Sequence, residues 1–358
     1  MSKSIQSING QKIRFGVGIR NQVSQEMEAS GLGKALVLST KFQAEMAEGV
    51  AKSMGAKSVG VFSGARMHTP VEVTAQAMDN IAASGADCVV AVGGGSTTGL
   101  GKAIALRTDL PQIVIPTTYA GSEATSILGQ TENGVKTTRK APGILPEIVL
   151  YDPELVASLP VPLTMTSGLN AIAHSAEGLY AKERRDEISR LAREGIRAMA
   201  KGLPILKGDP GNLKAREETL YGAWACGTVL GEVGMALHHK ICHTLGGTLN
   251  LPHSETHAII LPHAIAYNEV EVPDLLAPIA AILGGDTPSQ ALWHFSQKLG
   301  APRSLLELGV TEKDIDRIIE VTLVNAYWNP REIGRKGLSV LLMNALAGNP
   351  PSSSKEAV

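Results

Sequence analysis

The chain has 358 residues, 44% hydrophobic and 19% charged, with a formal net charge of -1, the composition of a globular protein with room for a large core and two domains. That balance offers no electrostatic basis for holding nucleic acid or a membrane surface, and 4% aromatic residues give no base-stacking platform. The opening MSKSIQSINGQKIRFG lacks a signal peptide's apolar stretch, no apolar run reaches membrane-spanning length, and three cysteines are a sparse, odd set, so a reducing cytoplasm is expected.

The first 160 residues alternate strand and helix signals. KIRFGVGI (12–19) opens as a strand and tight turn; Gly16 and Gly18 mimic part of a dinucleotide fingerprint but lack its third glycine. KALVLS (34–39), KSVGVFS (57–63), ADCVVAVGGG (86–95), PQIVIPTT (111–118) and PEIVLYD (146–152) are short runs rich in β-branched residues. Helical patterns lie between the first four of these, which predicts an α/β layer around a mostly parallel sheet. Cys88 reads as a buried strand residue. The polar, basic stretch 130–146 carries Asn133-Gly134, a hairpin turn signal. From about residue 155 onward strand signals nearly vanish and helical patterns take over. The division expected is 1–158, an α/β domain, and 159–358, an all-α domain.

Gly93-Gly94-Gly95-Ser96 follows an apolar strand and precedes a helix. Gly94 and Gly95 let the backbone approach a phosphate, the helix N-terminus supplies unpaired N–H groups, and Ser96 adds a hydroxyl. The next strand ends in a run containing Thr117, Thr118 and Ser122, small hydroxyl residues where a dinucleotide bound at the same sheet edge would lie. After the strand KALVLS, Ser39 stands where an NAD site often has a carboxylate for the ribose. A small neutral side chain does not repel a 2′-phosphate, so NADH and NADPH are both admissible.

Six of the nine histidines fall between 238 and 263. His239 and His243 are four apart and share a helix face, Gly246-Gly247 is expected to end that helix, and His253 returns after Leu251-Pro252. Upstream, Asn170 and His174 are also one turn apart. Converging imidazoles suit a divalent metal or proton transfer. His238, His257 and His263 are read as structural and Cys242 as packing, and Glu177, three after His174, either orients an imidazole or faces solvent, with solvent preferred.

GGGSTTGLGK, PTTYAGSE, DPELVASLP, GLNAIAH and HHKICHTLGGTLNLPH together resemble the iron-containing alcohol dehydrogenase superfamily, and within it the maleylacetate reductases, over nearly the whole chain. The resemblance implies a dehydroquinate synthase-like fold, with an α/β dinucleotide-binding domain, an all-α domain, an active site in the cleft between them, and a homodimer. His174, His239 and His253 fall at the family's histidine ligand positions. Asn170 replaces the family's aspartate, and Gly99 and Gly101 replace Asp and Ala in the glycine motif, both as in the maleylacetate reductases, which work without a metal. An all-neutral donor set holds a hard ferrous ion weakly.

The expectation is therefore NADH- or NADPH-dependent reduction of the C=C bond of maleylacetate to 3-oxoadipate, with no metal. His243 is the first candidate acid and His253 the second. Lys136, Arg139, Lys140 and Arg331 are candidate cations for the dicarboxylate substrate, with Asn329 as an amide donor. The rivals are a metal-dependent alcohol dehydrogenase of the same fold and a non-catalytic nucleotide-binding sensor.

Overall fold

In the computed structural model, which describes residues 3–353 apart from Asn133 and Asn325 and leaves the Val135 and Lys136 side chains outside, the six apolar runs all form strands. In chain order the strands are β1 (Lys3–Gln6), β2 (Lys12–Phe15), β3 (Ala35–Leu38), β4 (Ser58–Phe62), β5 (Cys88–Gly93), β6 (Gln112–Pro116), β7 (Ile127–Glu132), β8 (Val135–Lys140) and β9 (Ile148–Tyr151). Among the described residues β7 and β8 form a separate antiparallel hairpin. The other strands make a seven-stranded sheet in the order β1-β2-β9-β6-β5-β3-β4. Only β1 runs antiparallel to its neighbour in that sheet. It is short, polar and exposed, and its KSIQ pattern carries no strand signal.

The sheet is covered on both faces. Ala35 and Val37 of β3 pack into one apolar cluster, with Val50 and Met54, while Leu36 and Leu38 pack into another, with Val73 and Ile104. That is the period-2 side-chain alternation of a strand with helices on each side. The helices of this half are α1 (Val23–Ala29), α2 (Ala44–Met54), α3 (Val71–Ser84) and α4 (Gly95–Thr108). Gly18, at φ 72, makes the turn after β2, and Asp152 holds that turn by accepting from Gly18 N at 3.1 Å and from Arg20 Nη1 at 2.7 Å. The near-fingerprint glycine is therefore structural. Of the expected hairpin turn, Gly134 has φ 77, which favours glycine, and Asn133 lies outside the described residues.

The helical half comprises α5 (Val161–Tyr180), α6 (Asp186–Gly208), α7 (Leu213–Glu232), α8 (Leu237–Leu249), α9 (His253–Glu269), α10 (Pro273–Leu283), α11 (Pro288–Leu299), α12 (Glu312–Leu323) and α13 (Arg335–Ala347). Its core includes Leu237, Ile241, Leu245, Ile260, Ile318 and Leu342. By internal packing the chain forms two units, residues 1–159 with 211–220, and residues 160–210 with 221–358. A single cut after residue 158 misses the return of 211–220. Arg216 explains that return: it is fully buried and donates to Tyr119 Oη at 3.0 Å and to the carbonyls of Ala157 and Leu159.

Candidate active site

In the sheet unit, Gly93 pairs with Pro116, so the turns that leave β5 and β6 emerge side by side, and Thr117 N donates to Gly93 O at 3.1 Å. Gly94 caps α4. A Cβ there would stand 2.9 Å from Thr118 Cγ2, so only glycine admits this approach of the two turns. Gly95 is exposed and Ser96 half-buried at the first turn of a 14-residue helix, where N–H groups lack intrahelical partners. Glycine-lined backbone, a helix N-terminus and the Thr117 and Thr118 hydroxyls fit a dinucleotide pyrophosphate.

Ser39 does not stand open to a ribose. It is fully buried, and its hydroxyl donates to Ser63 Oγ at 3.0 Å. Gln43 instead reaches the turn after β6: its Nε2 donates to Thr117 Oγ1 at 2.5 Å, and its Oε1 accepts from Thr40 Oγ1 at 3.0 Å. No motif marks Gln43, which sits five residues past the end of β3 in an ordinary helical pattern. Ser122 is held by Lys102, whose Nζ lies 2.5 Å from the Ser122 carbonyl oxygen.

The helical unit gathers the histidines. His239 and His174 stack with ring centroids 5.2 Å apart, His239 and His243 lie 5.9 Å apart, and His253 and His257 lie 4.2 Å apart. α8 runs through Gly246 and Gly247 and ends at Asn250, whose φ of 53 supplies the left-handed cap the glycines were expected to provide. His253 then opens α9. His243 and His253 are exposed, whereas His174, His238, His239 and His257 are buried. Burial, and then the neighbouring imidazoles, hold His174, His238 and His257 well below the usual histidine range, so these three rings are neutral near pH 7. His243 Nδ1 lies 3.1 Å from Tyr327 Oη, a residue without a motif. Burial, and then the Glu177 charge, push that phenol up, so it keeps its proton.

Glu177 does not face solvent. It is fully buried and accepts from Ala236 N at 2.9 Å and His238 N at 2.7 Å, with His239 Nδ1 at 2.7 Å. This carboxylate fixes which nitrogen of His239 is engaged and leaves Nε2 without a partner. Cys242 packs in the apolar core, and burial holds its thiol well above the usual range. His263 is buried edge-on to Trp293.

Asn329 and Arg331 are employed within the helical unit rather than offered to a substrate. Asn329 makes a reciprocal amide pair with Asn268, at 2.7 and 2.9 Å, and also donates to the Arg331 carbonyl. Arg331 is buried, donates to the Tyr267 carbonyl at 3.0 Å, and lies over the Tyr267 ring. Together they latch the 329–334 segment to α9. Arg139 and Lys140 are exposed on β8, and the Lys136 side chain lies outside the described residues.

A metal would have Asn170 Oδ1, His174, His239 and His253 to hold it. Asn170 Oδ1 and His239 Nε2 are buried without partners, but the set contains no anion, and Glu177 is committed elsewhere. Nitrogens bound to one ion at about 2.1 Å stand at most about 4.2 Å apart. Among the described residues, the His, Cys and carboxylate donors that come within 4.8 Å as a set of three are instead His238, Cys242 and His257. Their closest contact, His238 Nε2 to His257 Nδ1 at 3.0 Å, is a hydrogen bond between imidazoles. The donor set at the family positions thus lacks the anion that a hard ferrous ion favours.

The family model described as iron-containing alcohol dehydrogenase matches residues 10–153, and that of the Fe-containing alcohol dehydrogenase family, C-terminal, matches residues 164–346. The chain belongs to the iron-containing alcohol dehydrogenase family. Within this family it is 58% identical over 340 residues to the maleylacetate reductase of Rhizobium sp. (strain MTP-10005), covering 95% of this chain and 97% of that one. It is 49% identical to the maleylacetate reductase of Burkholderia cepacia, over 95% and 97% of the two chains. The crystal structure of maleylacetate reductase from Agrobacterium tumefaciens superposes with a TM-score of 0.95 at 56% identity, covering 98% of this chain and 100% of that one. The fold is thus the family's, an α/β sheet unit followed by helices, and its similar relatives are oxidoreductases that act on a small molecule. No single helix among the described residues is long and apolar enough to cross a membrane.

Proposed function

We propose that this chain reduces the C=C bond of maleylacetate to 3-oxoadipate with NADH or NADPH and without a catalytic metal. The observation that carries the reading is the neutral, buried imidazole cluster behind two exposed imidazoles, in a chain so similar to maleylacetate reductases.

The reduced nicotinamide supplies a hydride when bound. Gly94, Gly95 and Ser96 hold its pyrophosphate at the N-terminus of α4, with Thr117, Thr118 and Ser122 alongside. Hydride addition at the alkene carbon β to the ketone leaves an enolate whose charge is delocalised over carbon and oxygen. Hydrogen-bond donors suffice to stabilise such an anion, where a localised alkoxide favours a Lewis-acid metal. His243, exposed and hydrogen-bonded to Tyr327, delivers the proton to the α carbon, and His253 is the second candidate. The buried rings of His174, His238 and His257 pack around His239. Arg139 and Lys140, with Lys136, are the cations proposed for the substrate carboxylates. The assembly proposed is a cytoplasmic homodimer, which light scattering of the purified protein tests.

The deciding assay follows loss of the reduced nicotinamide absorbance with maleylacetate, with NADH and NADPH in parallel, before and after chelator treatment. Turnover that survives chelation supports the reading. Turnover abolished by chelator and restored by Fe²⁺ or Zn²⁺ overturns its metal-free part, and no turnover at all points to a binding protein.

A further inference from the structure

Lys102 stands two helical turns beyond Gly95 on α4, and its side chain turns into the protein. It is fully buried, and its Nζ lies 2.5 Å from the Ser122 carbonyl oxygen, 2.9 Å from Thr125 Oγ1, 2.9 Å from the Ile127 carbonyl oxygen and 3.4 Å from Ser122 Oγ. All four oxygens belong to one segment, 122–127, between the turn after β6 and the start of β7. Thr125 Oγ1 also donates to the Ser122 carbonyl at 3.1 Å, closing the segment on itself. Glu123 lies in the same segment, buried, with the Tyr151 hydroxyl of β9 donating to it at 2.9 Å. A buried ammonium is tolerated only where it is well paired, so the segment is folded around the cation.

We propose that Lys102 is a positioning residue for the nicotinamide cofactor, anchoring at Ser122 the end of the turn that follows β6 and stands beside the glycines of α4. This rests on the cofactor reading above. The same helix thus serves the site twice, with its N-terminus toward a phosphate and its third turn toward the neighbouring loop. Burial, opposed by the Glu123 charge, brings the Lys102 pKa down to about 7. The titratable groups facing it are Glu123, raised by burial, and Tyr151, raised by burial and by Glu123. Deprotonation leaves two N–H donors for the four oxygens instead of three, and removes the charge. Cofactor affinity therefore weakens as pH rises through neutrality.

Equilibrium titration of the full chain with NADH and NADPH, from about pH 6 to about pH 8.5, tests this. Wild-type affinity is expected to weaken by about threefold across that range, while Lys102→Met binds at least about tenfold more weakly and shows no pH dependence. Amide hydrogen exchange should quicken over 122–127 in Lys102→Met and stay unchanged in β5. Thr125→Val, which removes one acceptor at nearly constant volume, should weaken binding by about threefold, and it decides the matter if Lys102→Met does not fold. A folded variant with wild-type affinity and exchange overturns the assignment. Wild-type protein that takes up neither nucleotide overturns the cofactor reading itself, and the role of Lys102 with it.

Discussion

Glu177 Oε2 lies 2.7 Å from His239 Nδ1, and the same carboxylate accepts the N–H groups of Ala236 and His238. One buried acid therefore caps the start of α8 and orients an imidazole of the site. Glu177→Ala leaves these donors unsatisfied and is expected to lower stability by about 3 kcal/mol in denaturant unfolding. Glu177→Gln keeps an acceptor but loses the charge, and kcat should fall about tenfold with a smaller loss of stability. Unfolding of the Ala variant at the wild-type midpoint would contradict the capping role.

His243 and Tyr327, in hydrogen-bond contact, are the pair proposed to handle the proton. His243→Ala should lower kcat about 100-fold while the Kd for NADH changes by no more than about twofold. Tyr327→Phe removes only the hydroxyl at 3.1 Å, and a loss of about fivefold in kcat is expected. Steady-state kinetics with parallel NADH titration measures both, and equal losses in turnover and affinity would assign His243 a structural role.

The buried imidazoles make stability depend on pH in one direction. His174, His238 and His257 are held well below their unfolded value by burial, and His263 is brought down to about 4 by the same cause. Between the folded pKa values and about 6.5 the unfolded chain binds more protons than the folded one. Stability is thus fully present above about pH 6.5 and is lost as pH falls below it, by up to about 1.4 kcal/mol per pH unit for each ring. Urea unfolding from about pH 5 to about pH 7.5 should show this loss, and a flat profile would show that the rings protonate in place.

Gly94 is fixed by space rather than by backbone angle. A methyl group at this position meets Thr118 at 2.9 Å, so Gly94→Ala must push the two turns apart. NADH affinity is expected to drop about tenfold, with the unfolding free energy lowered by about 1 kcal/mol or less, since the site is half-exposed. Gly99→Ala is a control of opposite character. Its Cβ would stand 2.4 Å from Thr69 Oγ1, at a residue already held at φ 47, so the stability loss should be the larger of the two.

The sheet was legible because its strands are short apolar runs separated by amphipathic helices, and Gly93–Ser96 stood out because glycine runs at a strand end have few uses. β1 was missed because pairing with β2, and not its own polar residues, makes it a strand. For a related reason the residues alone do not decide between solvent and an imidazole for Glu177, and give Lys102 no role. Each is a charged residue in a helical pattern, and only the tertiary fold buries it and surrounds it with partners. Arg331 and Asn329 misled in the converse way: a cation and an amide beside a proline turn look available, and the fold spends both on holding that turn.

Arg216 has a practical consequence for anyone dissecting the molecule. A fragment that stops at residue 159 would carry the whole sheet yet leave the Tyr119 hydroxyl and two carbonyl groups stripped of their guanidinium. Expressed by itself, such a fragment should come out insoluble or misfolded. Rescue would come from grafting 211–220 back through a short linker, which makes the gene's natural halves interleaved rather than consecutive.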